Sequence, residues 1–274
     1  MQATDSATPL DETVAGTGDV LYACRDGIAH ITLNRPAQRN ALTLAAAERL
    51  RLLWDAIDED DTVRAVVLSA APCGTFCAGM DLKEAAALRA QSGRDVLDAM
   101  RDPFHERMRA VKKPIVAAMT GHFAGGGMVL SMNADLRVGL AGSRGGISEV
   151  KLGRGSPWAV PLVWMLPQAV LMELTLTGEL LAVERFAELG FVNYVEPTVE
   201  AVLDRAFALA RGIAANAPLS VAAGKAALLD AMALGAKDGL EAAKARYRAV
   251  YASEDAIEGP RAFAERRAPV WRGR

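Results

Sequence analysis

From residue 19 onward the chain alternates short apolar runs with amphipathic stretches. Val20-Leu21-Tyr22-Ala23-Cys24 and Ile28-Ala29-His30-Ile31-Thr32-Leu33 flank Arg25-Asp26-Gly27, the pattern of a β-hairpin. Residues 34–40 read as a loop, because Pro36 cannot continue a strand ladder. Thr43 suits the N-cap of a helix to about Asp58, with Leu44, Ala47, Leu50, Leu53 and Trp54 on its apolar face. Residues 65–69 are a buried strand. The bare backbone of residues 72–80 follows, with Asp81 as the next N-cap. A longer helix is predicted over 96–111, a strand over 114–119, a helix opening at Met128 after Gly125-Gly126-Gly127, and a strand over 135–140. From Val199 the pattern is helical only, over 201–216, 220–234 and 239–251. Strand–loop–helix units recurring about every fifty residues predict an α/β fold with parallel pairing, and ligands bind such folds at strand C-termini. The chain thus divides into a tail (1–18), an α/β core (19–199) and a helical C-terminal segment (200–274).

Composition narrows the class. Of 274 residues, 51% are hydrophobic and 23% charged, as in a globular protein with one large core. A formal charge of −2 leaves no basic footprint for nucleic acid. No apolar run looks long enough to span a bilayer, so no membrane partner is expected. Residues 1–18 are polar and acidic, without the basic and apolar regions of a signal peptide, and read as a disordered tail. Cytoplasmic residence follows as the default. Cys24, Cys73 and Cys77 are odd in number and lack a CxxC spacing, which argues against disulfides or zinc.

The candidate chemistry gathers around Gly121-His122-Phe123-Ala124-Gly125-Gly126-Gly127-Met128. A helix start presents unpaired N–H groups, and glycines let a ligand reach them. The stretch is either a site for an anion or developing oxyanion, or a tight turn that binds nothing. Glu149, in the apolar Gly146-Ile147-Ser148-Glu149-Val150, is either a base with a raised pKa or an exposed loop carboxylate. His30 reads as structural, His105 as a surface residue of a charged helix, and His122 as a candidate pocket residue; the three share no metal spacing, and no metal site is expected. Cys77 reads as packing, and Ser148 lacks the context of a nucleophile.

Several motifs in register carry a resemblance. They are Asn34-Arg35-Pro36 with Asn40-Ala41-Leu42, Phe76-Cys77-Ala78-Gly79-Met80-Asp81-Leu82, Gly125-Gly126-Gly127 with Ala134-Asp135, and Glu149 with Leu152-Gly153. The C-terminal 253–267 stretch adds to them. Together, over residues 18–274, they resemble the enoyl-CoA hydratase/isomerase (crotonase) family. The resemblance implies a spiral of ββα units, a helical trimerisation segment, a homotrimer or homohexamer, and acyl-CoA thioester substrates, with coenzyme A as part of the substrate and no further cofactor. It places the oxyanion hole at the N–H groups of Met80 and Gly126, beside Ala78 and Gly125, and the acid/base at Glu149. It places CoA contacts on Gln38, Arg39, Asn40 and Ala41, on Lys83, and on Phe263 and Arg266. The two-glutamate hydratases of this family carry their first glutamate where this chain has Val129. Members that manage with the second glutamate alone include enoyl-CoA isomerases and hydroxycinnamoyl-CoA hydratase-lyases. Gly153-Arg154-Gly155-Ser156-Pro157-Trp158 is similar to a Pro-aromatic segment of such isomerases, which makes Trp158 a pocket-wall candidate. Double-bond isomerisation is the expected reaction; hydration, hydratase-lyase cleavage and a weakened acyl-CoA-binding role are the alternatives.

Overall fold

In the computed structural model, which describes residues 18–274, the hairpin opens the chain as β1 (Val20–Arg25) and β2 (Ile28–Leu33). Except for Gly18, the expected tail over residues 1–18 lies outside the described residues. Helix α1 (Leu44–Glu59) is capped by the Thr43 hydroxyl, which accepts from the Ala46 N–H, and buries Ala47, Leu50, Leu53 and Trp54. Strands β3 (Ala65–Ala70) and β4 (Thr75–Cys77) lead into α2 (Leu82–Ser92), where the Asp81 carboxylate accepts from the Lys83 and Glu84 N–H groups.

The expected helix over 96–111 does not form. Only its first turn, α3 (Val96–Ala99), is helical, and the rest is turns ending in a short 3-10 segment at Met108–Ala110. Pro103 is the reason: a proline removes an intrahelical hydrogen bond and forces the preceding Asp102 out of helical conformation. The consequence is local but large, because His105 is brought to a half-buried turn instead of an exposed helix face.

Strands β5 (Ile115–Met119) and β6 (His122–Ala124) precede α4 (Gly126–Asn133); β7 (Leu136–Leu140) and β8 (Arg144–Gly146) precede a 3-10 turn at Glu149–Leu152. Then come α5 (Gln168–Thr177), β9 (Leu181–Ala182), α6 (Val183–Glu188), β10 (Tyr194–Glu196) and α7 (Val199–Ala214). The chain closes with α8 (Pro218–Tyr251) and α9 (Glu254–Glu265).

Two sheets organise these elements. One has the order β1-β2-β3-β5-β7-β10, the other β4-β6-β8-β9. Three successive strand pairs, β3/β4, β5/β6 and β7/β8, each send their first strand to the large sheet and their second to the small one. This is the spiral of the crotonase fold. The large sheet is covered on both faces, so its central strands are apolar throughout. Val66, Leu68, Ile115, Ala117 and Met119 face one core with Leu50 and Trp54 of α1. Val67, Val116 and Ala118 face the other with Val202, Ala206 and Ala210 of α7. His30 is structural, as expected: its Nε2 lies 2.7 Å from the Ser69 hydroxyl, and burial pushes its pKa down to about 4.

α8 corrects the sequence reading of membrane-spanning potential. By length and composition it is apolar enough to cross a bilayer. Gly235, with φ 72° and ψ 177°, breaks it into 218–234 and 236–251, and neither part reaches the roughly 20 residues of a span. The first part is tied to the core through Lys225, whose ammonium donates to Asp135 at 2.8 Å and to the Lys113 carbonyl at 3.1 Å.

Candidate active site

The parallel strands β4, β6 and β8 of the small sheet end side by side, and each runs into a loop that lines one cavity of about 240 Å³. The first loop brings Ala78, Gly79 and Met80, the second Gly125 and Gly126, and the third Ser148 and Glu149.

Leu42 and Met80 form an isolated parallel bridge, with Leu42 N–H donating to Gly79 and Asp81 N–H donating to Leu42, both at 2.8 Å. These bonds flank Met80 and leave its own N–H on the opposite side of the segment. Gly126 is the first residue of α4, so its N–H has no carbonyl one turn back to bond. The two loops are in van der Waals contact: a Cβ on Gly79 would stand 3.2 Å from the Gly126 nitrogen. Gly125 holds φ 52° and ψ −120°, a conformation closed to residues with a Cβ. At Gly127 a Cβ would meet the Cys77 carbonyl oxygen at 2.2 Å, so glycine there lets α4 seat directly on β4. Cys77 is fully buried beneath this contact, and burial pushes its thiol up to about 12, consistent with a packing role.

The Glu149 carboxylate reaches back toward the second loop. A Cβ on Gly125 would lie 3.5 Å from its Oε1. Trp158 Nε1 donates to that same oxygen at 2.9 Å, while Oε2 is buried without a hydrogen-bond partner among the described residues. Burial raises the Glu149 pKa; hydrogen bonds from the backbone and Trp158, and the charge of Arg154, act against the rise. Arg154 itself is held by Asp95 through two bonds, Nη1 to Oδ2 at 3.0 Å and Nη2 to Oδ1 at 2.8 Å. Asp95 sits well below the usual carboxylate range, at about 2, chiefly through those bonds.

Met80, Gly126, Glu149, Ala78, Gly125 and Trp158 are therefore brought together around the cavity. Trp158 does more than form a wall, since it orients the carboxylate. The remaining candidates stand elsewhere. Asn40 is buried, and its amide donates to the carbonyls of Ala71 (2.9 Å) and Thr75 (2.8 Å), so its side chain holds the loop and is not free for CoA. Gln38, Arg39 and Lys83 are exposed, and with Ala41 lie outside the cavity lining; the Arg39 carbonyl accepts from Ala78 N–H at 3.2 Å. Phe263 and Arg266 are exposed on and just after α9, also outside that lining. His122 is no pocket residue: it is exposed, and its Nδ1 accepts from Arg144 N–H at 2.9 Å.

Sequence reasoning missed three polar lining residues, Asp102, His105 and Arg154. Arg154 is held by Asp95, which lies outside the lining; Asp102 and His105 arrive on the turn that Pro103 creates. Proline inside a predicted helix was the available signal for the last two. Asp102 is a second carboxylate in the lining, but both its oxygens are occupied, Oδ1 by Phe104 N–H at 2.7 Å and Oδ2 by Glu106 N–H at 3.1 Å. Val129 is buried in the lining, to which Val96, Leu97, Met100 and Phe104 add further hydrocarbon.

Met80, Gly126 and the half-buried Glu149 share one cavity, and backbone N–H groups beside a carboxylate are an arrangement that can bind a developing oxyanion and move a proton. The chain belongs to the enoyl-CoA hydratase/isomerase family, whose model matches residues 23–274. It is 35% identical over 270 residues to enoyl-CoA hydratase EchA19 of Mycobacterium tuberculosis, covering 96% of this chain and 99% of that one. It is 34% identical over 258 residues to (E)-benzylidenesuccinyl-CoA hydratase of Thauera aromatica, covering 90% and 96%. Among solved structures, an enoyl-CoA hydratase from Bacillus anthracis superposes with a TM-score of 0.88 at 30% identity, covering 94% of this chain and all of that one.

Proposed function

We propose that the protein moves a proton at C2 of an unsaturated acyl-CoA thioester, with Glu149 as its single acid/base and the N–H groups of Met80 and Gly126 stabilising the enolate oxygen. The observation that carries this reading is the position of Glu149: its carboxylate is 3.5 Å from where a Gly125 Cβ would be, in the cavity that Met80 and Gly126 also line, and burial raises its pKa. One carboxylate that removes a proton from C2 and returns it to C4 accounts for double-bond migration without a second acid. Val129 fills the place where another carboxylate would divide the work of activating water, and Asp102 is already bonded to backbone through both oxygens. Isomerisation is the reaction this arrangement serves most directly.

Hydration is the second reading. It is favoured by the activities that the relatives' names give, which are hydratases and a carnitinyl-CoA dehydratase. A direct test incubates the enzyme with trans-3-hexenoyl-CoA and trans-2-hexenoyl-CoA and follows the products by chromatography. Conversion of the 3-enoyl to the 2-enoyl thioester, without accumulation of 3-hydroxyacyl-CoA, supports isomerisation; rapid formation of the 3-hydroxy product from the 2-enoyl thioester replaces it with hydration. Coenzyme A enters only as part of the substrate, and the chemistry calls for no further cofactor. A homotrimer or homohexamer and cytoplasmic residence complete the proposal. The exposed Leu228, Leu234 and Leu240 of α8 supply an apolar face for association, which light scattering on the purified protein would measure.

A further inference from the structure

The cavity that holds Glu149 has a second polar feature, unused by proton transfer at C2. His105 lines it, on the turn that follows Pro103. Its Nε2 is buried and has no hydrogen-bond partner among the described residues. A buried donor or acceptor left unpaired is costly, so such an atom marks either a strained site or a missing ligand atom.

The neighbouring bonds fix which kind of ligand atom is missing. Asn133, on α4 one helical turn beyond Val129, donates from Nδ2 to the Val129 carbonyl at 3.0 Å. A carbonyl can only accept, so the amide NH2 must face that way. The same Nδ2 lies 3.3 Å from His105 Nδ1, which makes Nδ1 an acceptor. Desolvation lowers the His105 pKa and favours the neutral ring. A neutral imidazole that accepts at Nδ1 carries its proton on Nε2. The orphan is therefore an N–H donor, and its partner must be an acceptor.

The charges around it decide which acceptor. Glu149 and Asp102 both line the cavity. Among the described residues, Arg154 is the one lysine or arginine in the lining, and it is already bonded to Asp95 through two contacts. Arg109, which also acts on His105, directs its guanidinium to the Met232 sulfur at 3.2 Å and lies outside the lining. A carboxylate on the acyl group would meet two anions with no free lysine or arginine among the described lining residues to offset them. An uncharged oxygen would not. Val96, Met100, Phe104 and Val129 give the same cavity much hydrocarbon lining, against which a single donor discriminates strongly.

We propose that His105 is a specificity-determining residue whose Nε2–H binds an uncharged oxygen acceptor, a keto, ether or hydroxyl oxygen, on the acyl portion of the thioester. The proposal rests on the acyl-CoA reading of this cavity and is independent of whether the reaction is isomerisation or hydration.

Calorimetric titration with saturated, unreactive thioesters tests it without turnover. The probes are hexanoyl-CoA, 4-oxohexanoyl-CoA, 5-oxohexanoyl-CoA and 6-hydroxyhexanoyl-CoA. At least one oxygenated probe is expected to bind the wild type about tenfold or more tighter than hexanoyl-CoA. His105→Leu should erase that preference and leave hexanoyl-CoA affinity nearly unchanged, while His105→Gln, which keeps a donor, should retain part of it. Histidine 15N spectra should show the Nε2–H form of His105 and a shift in that signal only with the preferred probe. Equal affinity of the wild type for all four probes overturns the proposal, as does a preference that survives in His105→Leu. If hexanoyl-CoA itself does not bind, the acyl-CoA reading of the cavity fails, and the assignment of His105 falls with it.

Discussion

The indole Nε1 of Trp158 donates to Oε1 of Glu149 at 2.9 Å. That bond points one oxygen toward the indole and leaves Oε2 buried without a partner among the described residues; in the proposed reaction Oε2 would take the substrate proton. It also favours the ionised carboxylate, opposing the rise caused by burial. As a base, Glu149 must be ionised, so the acid limb of kcat/KM lies above the ordinary carboxylate value. Trp158→Phe removes the stabilising bond and moves that limb to still higher pH. Below the limb, kcat/KM should fall about tenfold, the rate equivalent of one charge-assisted hydrogen bond. A pH–rate profile of the two proteins checks both the sign and the size.

Glu149→Gln removes the acid/base and keeps the shape of the side chain. Turnover should drop by about 10²–10⁴-fold, the usual contribution of general acid–base catalysis, with hexanoyl-CoA affinity preserved. Because the folded state raises the carboxyl pKa, wild-type Glu149 contributes least to stability above that raised pKa and more below the unfolded value. The variant should therefore be no less stable than wild type at neutral pH. Near-wild-type turnover would remove Glu149 from the mechanism.

Gly126→Ala tests the oxyanion hole. Its new Cβ would stand 3.2 Å from the Gly79 Cα, so the two loops must part by a few tenths of an ångström. Alanine keeps the N–H but displaces it, so kcat should fall, by at most the about 10²–10³ that full loss of one such donor costs. The circular dichroism spectrum should be unchanged, since both loops lie at strand ends.

Arg154 and Asp95 separate charge from anchoring. Arg154→Met removes a positive charge that lowers the Glu149 pKa, so the acid limb should move up. Asp95→Asn leaves that charge in place and loosens only its anchor, so it should raise KM more than it moves the limb. Identical pH profiles for the two variants would mean that the charge of Arg154 is not felt at Glu149.

Val129→Glu puts a second carboxylate into the cavity. Two like charges in one site raise the pKa of one of them, so the acid limb should move up. Formation of 3-hydroxyacyl-CoA from a 2-enoyl thioester should increase relative to double-bond migration. Product ratios by chromatography give the answer, and an unchanged ratio would mean that residue 129 does not choose the reaction.

Much of this site was legible before any coordinates. Asp81 and Thr43 announced themselves as caps because short polar side chains before apolar runs have a specific backbone job. The glycines at 125–127 marked a place where backbone must come close to backbone. Strands β4 and β6 were harder to see: each has only three residues and is supported by the neighbouring strand, so no periodicity can develop. The turn at 103–106 was misread because charged and apolar residues around it keep helical spacing while Pro103 forbids the helix. Placement of Trp158 against Glu149, and of Arg154 against Asp95, depends on chain segments meeting across the fold, which spacing along one segment does not encode.

The cavity is lined from three successive strand pairs, one loop from each. Every pair is anchored by its own strand in the large sheet, away from the loop it carries. A side chain can thus be exchanged at residue 80, 129 or 149 without asking the other two pairs to move. For a lineage built on this plan, changing the reaction is a local edit and keeping the shape is a separate, distributed task. New chemistry can be tried one loop at a time on an inheritance that stays folded.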